Sequence, residues 1–208
     1  MYHEDVLALL LAVAMTMVPV ERVVAVVNGV PVLETDVRLA EIARLVPPLK
    51  GEDEAAHRRA VADALVDLEL RWQDLSSAAI AQRTPVDMER VWAAAQTRAG
   101  GKEALERALS DAGLDAGMLR HLLEKAAVVQ AYVATRFEPF IRPTQAEVES
   151  LWRTKLLPEL KAAGKPIPPL DKVRDTVEAL VRENKLQSEV DRWTEELARR
   201  AEIVRYYS

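Results

Sequence analysis

The chain has 208 residues, of which 50% are hydrophobic, and a formal net charge of −5. This length can bury one sizeable core, and 7 Gly with 5% aromatic residues favour helices over a β-sandwich. The acidic balance argues against a nucleic-acid surface, and the absence of cysteine excludes disulfides, thiol nucleophiles and cysteine-ligated metals. The three histidines, His3, His57 and His121, lack metal-ligand spacing, so we predict no cofactor and no metal site.

The N-terminal segment, residues 1–20, is predicted to be a signal peptide or a membrane anchor outside the folded domain. Residues 6–20 are apolar apart from Thr16, but they are too few to cross the ~30 Å hydrocarbon core of a bilayer stably. Ala12-Val13-Ala14 fits the small-x-small pattern of a cleavage site, whereas Glu4 and Asp5 replace the usual basic start. We expect export from the cytoplasm, with an uncleaved anchor or a buried N-terminal helix as alternatives.

A β-hairpin is predicted directly after this segment. The apolar residues 23–27 precede Asn28-Gly29, the residue pair favoured in a type I′ turn, and residues 30–33 are again apolar. Because neither face of the first strand is polar, we expect the hairpin to be covered on both sides. Thr35 is predicted to cap the helix that follows.

Five helical segments are predicted between the hairpin and a bend at residues 140–143. Their apolar residues recur every three or four positions, which is the periodicity of a helix with one buried face. Their boundaries come from capping residues, glycines and prolines. The segments are residues 35–46, a second helix carrying Val61 to Ala79, one from Thr84-Pro85 to Gly100-Gly101, residues 102–112, and residues 115–137. A sixth helix is predicted from the capping box Thr144–Glu147 to Pro158.

The last part of the chain is predicted to close the fold. Residues 158–169 contain four prolines and are predicted to be a linker. A long helix over 171–200 has apolar ends and a polar middle at 182–185, so we expect it to contact core twice and cross solvent between. Residues 201–207 are β-prone and predicted to add a third strand to the hairpin.

The sequence therefore predicts a mainly α-helical fold with a small β-hairpin completed by a C-terminal strand. We expect a single domain over 21–208, with a core at 21–157, the linker at 158–169, and a closing helix and strand at 170–208. The acid pairs Asp63/Asp67, Glu147/Glu149 and Glu195/Glu196 fall on polar helix faces, as solvated charges do. Ser76-Ser77 has no histidine nearby in sequence, so we predict that the protein is not an enzyme.

Residues 21–36, ERVVAVVNGVPVLETD, resemble the opening of SurA-type periplasmic chaperones, a segment shared with PpiD-like and PrsA-like foldases. The resemblance continues at 64–70, 105–124 and 141–148, and residues 173–203 are similar to the long helix and strand that complete the same chaperone domain. It implies a helical chaperone domain in the periplasm, acting in protein folding and outer-membrane protein biogenesis. The implied partners are unfolded outer-membrane or secreted polypeptides.

The chain departs from that family at one place. In SurA-like proteins, parvulin prolyl isomerase domains lie between the helix corresponding to the one with Trp152 and the closing helix. Here residues 158–169 fill the interval, and no independent domain is that small. The resemblance thus implies a chaperone domain that lacks its isomerase.

Two functions follow from these expectations. The first is a holdase that shelters unfolded polypeptides in an apolar groove, and the second is a structural or assembly protein that uses the same surfaces for one fixed partner or for itself. Met88, Trp92, Met118 and Trp152 are predicted to lie near a groove, because Met and Trp suit varied apolar contacts. The alternative is that these four residues are simply core.

Overall fold

The computed structural model describes residues 21–207, so the predicted signal or anchor segment, residues 1–20, lies outside the described residues. The fold is mainly α-helical with a three-stranded antiparallel sheet of order β2-β1-β3, as the sequence predicts. Within residues 21–207, no helix is long and apolar enough to span a membrane.

The strands are β1 (Val23–Val27), β2 (Val30–Leu33) and β3 (Ile203–Arg205). The helices are α1 (Glu34–Ile42), α2 (Glu54–Ser77), α3 (Met88–Ala99), α4 (Lys102–Ala112), α5 (Ala116–Arg136), α6 (Gln145–Leu151), α7 (Leu157–Ala162) and α8 (Leu170–Ala198).

The hairpin turn has the predicted geometry, and β1 contains a bulge that increases its burial. Asn28 and Gly29 have φ of 50° and 82°, as a type I′ turn requires. Val23 lies opposite Leu33, but Ala25 lies opposite Val32, so one extra residue is inserted in β1. The bulge lets the successive residues Val24 and Ala25 both be buried, together with Val27.

The expectation that the hairpin is covered on both sides is wrong for residues 21–207. Val26 lies on the face opposite Ala25 and Val27, and its neighbours across the sheet are Pro31 and Val204. Val204 is 40% exposed and Pro31 is also exposed. The sheet therefore packs on helices through one face only, as antiparallel sheets commonly do.

The start of α1 differs from the prediction. Thr35 does not cap the helix but is buried in its first turn, where its N–H and its hydroxyl donate to the Glu21 carboxylate at 3.1 and 2.7 Å. The cap position is Leu33, whose N–H donates to Asp36 Oδ2 at 2.9 Å. These contacts of Glu21 with Thr35 and of Leu33 with Asp36 hold the hairpin and α1 together.

The end of α1 also comes earlier than predicted, at Ile42 instead of Val46. Arg44 adopts φ of 48°, and the Leu45 N–H donates to the Ala40 carbonyl at 2.9 Å, which is a helix-terminating arrangement. The reversal turns Leu45 and Val46 back onto the core.

Helix α3 begins at Met88, four residues after the predicted cap Thr84. Thr84 is extended, as a residue before proline tends to be, and its hydroxyl donates to the Ile80 carbonyl at 3.0 Å. The cap is Asp87, whose Oδ1 accepts from the Arg90 N–H at 3.0 Å. The capping box predicted at Thr144 is confirmed, and the helix predicted to begin near Asp115 has Asp115 as its cap residue.

The helix predicted to end at Pro158 continues to Ala162, so the loop before α8 is residues 163–169. A π-helical turn, Trp152–Leu156, joins α6 to α7, and the Leu157 N–H bonds to the Trp152 carbonyl five residues back. Pro158 has no N–H to donate, and its ring needs more room than a regular α-helical turn leaves. The π turn directly before it is wider and shifts the hydrogen bonds by one residue, so the helix continues past Pro158.

The buried residues form a main body and an outlying arm. In the main body, β1, α1, α2, α4 and α5 enclose the largest cluster, to which α8 adds Leu197. The arm, comprising residues 145–181, has its own small core of Val148, Trp152, Val177 and Val181. Helix α8 belongs to both, which confirms that it contacts core twice, and its polar middle lies between the two contacts.

Candidate functional site: a cleft between α2, α5 and α8

An apolar cleft of about 400 Å³ opens where α8 passes from the main body to the arm. Its walls are α2, α5, α8 and the end of α1. Most of the lining side chains are apolar, among them Leu65, Leu68, Val129, Val133, Leu186 and Val190, while polar atoms make up nearly half of the surface that the lining exposes. The polar lining residues are Arg71, Gln130, Glu183 and Gln187. A concave apolar surface with few polar groups is the usual form of a binding site.

Helix α8 contacts the main body most closely near the C-terminal end of the helix, and the cleft lies beside its earlier turns. Near that end the Trp193 ring lies 5.4 Å from Tyr132 and 5.9 Å from Phe137, measured between centroids. Trp193 Nε1 donates to Asp74 Oδ2 at 3.2 Å, and Arg200 pairs with Asp74 at 3.3 Å. Three and seven residues before Trp193 in the chain, Val190 and Leu186 face α2 and α5 across the cleft.

A second fastening holds the middle of α8 to the arm. Lys185 Nζ donates to Glu147 Oε1 at 2.7 Å and to the Arg142 carbonyl at 3.1 Å. This ion pair lies in the polar stretch that the sequence analysis placed between the two apolar ends of α8. The position of α8 over the cleft is thus fixed by two contacts, Trp193 with the main body and Lys185 with the arm.

Arg71 contributes a largely desolvated cation to the cleft. Its Nε donates to the Asp67 carbonyl at 2.9 Å, and its guanidinium lies 4.0 Å from the Asp67 carboxylate. Burial lowers the pKa of Arg71 and raises the pKa of Asp67, while their mutual attraction opposes both shifts. Arg71 stays charged, and Asp67 offsets its charge.

A wider hollow of about 570 Å³ adjoins the cleft and has an acidic lining. Its charged residues are Glu138, Asp175, Glu178, Arg182 and Glu183, and we call it the acidic mouth. The cleft and the acidic mouth share Glu183 and Leu186. On α8, the lining positions of both recur every three or four residues, so they follow one continuous helix face.

The four residues predicted to lie near a groove are not gathered in one place. Met88 and Trp92 are half-buried on α3 against the main core, and the Arg120 guanidinium lies 5.5 Å from the Trp92 ring centroid. Met118 is 44% exposed near the start of α5, whereas Trp152 is 8% exposed in the arm core. All four lie outside the lining of the cleft, and their role in peptide binding stays a prediction.

Sequence reasoning found the residues of the cleft only as helix stripes. In the sequence, Leu68 falls among the apolar residues that recur at helical spacing in α2, Val129 among those of α5, and Leu186 and Val190 among those of α8. Nothing in the periodicity tells which stripes face each other with a gap between them. The one usable signal was the polar stretch 182–185 beside Leu186, which marks where α8 leaves the core.

The acid pairs considered as catalytic candidates take part in ion pairs at helix surfaces. Asp63 accepts from Arg205 at 3.2 Å and from the Tyr207 hydroxyl at 2.6 Å. Glu149 pairs with Arg153, and Glu195 with Arg199. Among residues 21–207, no group of three or more His, Asp or Glu side chains could hold a metal ion.

No protein-family model matches the chain, and no curated protein matches it significantly.

Proposed function

We propose that the protein is a holdase-type chaperone that binds apolar stretches of unfolded polypeptides in the cleft between α2, α5 and α8. The observation that carries this proposal is a preformed apolar cleft, bordered by amides and charges and continuous with an open hollow. The resemblance to SurA-type chaperones adds the periplasm as the place and outer-membrane or secreted proteins as the clients.

The chemistry of the cleft fits many different clients. Burying one large apolar side chain contributes ~1.5–3 kcal/mol, and ordering the bound segment offsets part of that gain. Binding of a few such side chains is then weak and reversible, as a holdase requires. The exposed amides of Gln130 and Gln187 can bond to peptide groups, which every polypeptide carries.

The proposal includes no isomerase activity. The interval between Trp152 and α8 holds the rest of the π turn, α7 and the loop 163–169, which is too little chain for a separate domain. An assay of proline cis/trans exchange in a peptide checks this part, since the uncatalysed reaction takes tens of seconds. Cell fractionation checks the location, and finding the unprocessed chain in the cytoplasm would contradict it.

The direct test is suppression of aggregation of a diluted, unfolded outer-membrane protein. Leu186 is half-buried and lines both the cleft and the acidic mouth, so Leu186→Ser should weaken binding about tenfold, corresponding to ~1.4 kcal/mol. Leu180→Ser is the matched control, because Leu180 is also half-buried on α8 but lies outside both linings.

Two results separate the possible outcomes of this test. Equal suppression by both variants would mean that the cleft is not the binding site. Failure of the unmodified protein to suppress aggregation, together with recovery of one stoichiometric partner from the envelope, would favour the structural or assembly function instead.

A further inference from the structure

We infer that the preferred clients carry a lysine or arginine close to the apolar residues that enter the cleft. This inference rests on the proposed function, because it names the class of segment that the same cleft selects. The observation that carries it is the acidic mouth, which continues the apolar lining along one face of α8.

The charges of the acidic mouth are unbalanced. Arg182 is its one cation among the described residues and pairs with Glu178 at 3.3 Å. Glu138, Asp175 and Glu183 form no ion pair within residues 21–207. Three carboxylates around one concave surface attract a cationic side chain, and the adjoining low-dielectric wall strengthens that attraction.

Arg71 does not reverse this preference. It lines the cleft but not the acidic mouth, and the Asp67 carboxylate lies 4.0 Å from its guanidinium. The cleft therefore offers a client an apolar surface with a neutralised charge pair, followed by a net negative surface.

The spacing along α8 sets how far the basic residue lies from the apolar one. Glu183 and Leu186 are about 4.5 Å apart along the helix axis, and Asp175 and Leu186 about 16.5 Å, at the ~1.5 Å rise of an α-helix. An extended client advances ~3.3 Å per residue. A lysine or arginine about one to five residues from the buried apolar side chain therefore reaches the carboxylates.

The test uses three fluorescent peptides that share one apolar segment and differ in flanking residues, which are Lys, Gln or Glu. At low ionic strength we expect the Lys peptide to bind the full-length protein about tenfold more tightly than the Glu peptide. This difference should shrink several-fold at ~0.5 M salt, because the charges involved are solvent-exposed. The Gln peptide should bind with intermediate affinity and little salt dependence.

A triple variant, Glu138→Gln, Asp175→Asn and Glu183→Gln, should bind the Lys and Glu peptides within about twofold of each other. The matched control removes three other exposed acids that form no ion pair within residues 21–207, as Glu103→Gln, Asp111→Asn and Glu159→Gln. This control should keep the preference of the unmodified protein.

The inference is overturned if the triple variant keeps the preference, or if the control loses it to the same extent. Binding of all three peptides with equal affinity by the unmodified protein would also overturn it, while leaving the proposed function intact. Failure of every peptide to bind would overturn the proposed function, and the charge preference with it.

Discussion

Glu147 and Lys185 form the contact that ties the arm to the middle of α8. The hydrogen bond from Lys185 is the main reason that the pKa of Glu147 is lowered from 4.5 to about 2. The Thr144 N–H and hydroxyl, which donate to the same carboxylate at 2.7 and 3.0 Å, lower it further. The Glu147 side chain thus completes the capping box of α6 and also binds Lys185 of α8.

Glu147→Gln should destabilise the protein at neutral pH, because glutamine keeps part of the capping box but loses the charge that binds Lys185. The folded-state pKa of about 2 lies below the ordinary value of 4.5, so the carboxylate stabilises the fold above pH 4.5. That stabilisation is lost as the pH falls toward 2. Urea unfolding between pH 2 and 7 should show a flatter pH dependence for the variant.

Glu159→Gln is the control for this measurement, since Glu159 is an exposed acid without an ion pair in the described part of the chain. It should follow the pH dependence of the unmodified protein. If Glu147→Gln follows that dependence as well, the ion pair does not stabilise the arm.

Trp193 is the residue through which α8 is fastened to α2 and α5. Trp193→Ala removes the contacts with Tyr132 and Phe137 and the hydrogen bond to Asp74, and should lower the free energy of unfolding by ~3 kcal/mol. Trp193→Phe keeps most of the packing and should cost ~1 kcal/mol, for the hydrogen bond alone. Thermal or urea unfolding measures both, and equal stability of the two variants would mean that the ring contacts contribute little.

At the scale of elements, the closing segment is part of the main body. The Tyr206 N–H donates to the Val24 carbonyl at 2.9 Å, and the Asn28 N–H to the Glu202 carbonyl at 2.8 Å, which pairs β3 with β1. Burial and the hydrogen bond to Asp63 raise the pKa of Tyr207 to about 12, so its hydroxyl stays protonated and keeps donating at neutral pH.

Deleting residues 170–208 should therefore leave the remaining chain largely unfolded or aggregated. The deletion uncovers one edge of β1 and removes Leu197 from the main core and Val177 and Val181 from the arm core. Losses of this kind are large against the ~5–15 kcal/mol stability of a domain. Circular dichroism during heating measures the result.

A matched control replaces residues 163–168 with Gly and Ser, which changes the loop before α8 and leaves the closing segment in place. This chain should melt cooperatively near the temperature of the unmodified protein. If the deleted chain also melts cooperatively at that temperature, residues 170–208 are a tail and not part of the fold.

At the scale of the whole molecule, the cleft exists because one helix serves two cores. Helix α8 packs in the arm through Val177 and Val181 and in the main body through Leu197, and its intermediate turns are held off α2 and α5. The open outer face of the sheet, with Pro31 and Val204, is a second apolar surface. If the protein is instead a structural or assembly protein with one fixed partner, we expect that partner to bind this face.

The sequence by itself determined the features that depend on neighbouring residues. Asn28-Gly29 specified the hairpin turn, Asp115 and the pair Thr144 and Glu147 specified two helix starts, and Gly100 ended α3 in the left-handed conformation. Turns and caps are made by φ preferences and by hydrogen bonds across a few residues, so they can be recognised in the chain before it folds. The third strand was predictable because the hairpin needed a partner and one remained near the end.

Tertiary structure alone decided where α1 ends and that a helix passes through Pro158. In each case the local preference was overridden by burial or by a shifted hydrogen-bond ladder, as when Leu45 and Val46 turn back onto the core. Tertiary structure alone also determined where the cleft lies. Periodicity shows that Leu68, Val129 and Leu186 each lie on an apolar helix face, but not which faces meet. That depends on the directions of α2, α5 and α8, which are set by distant contacts such as Trp193 with Asp74 and Lys185 with Glu147.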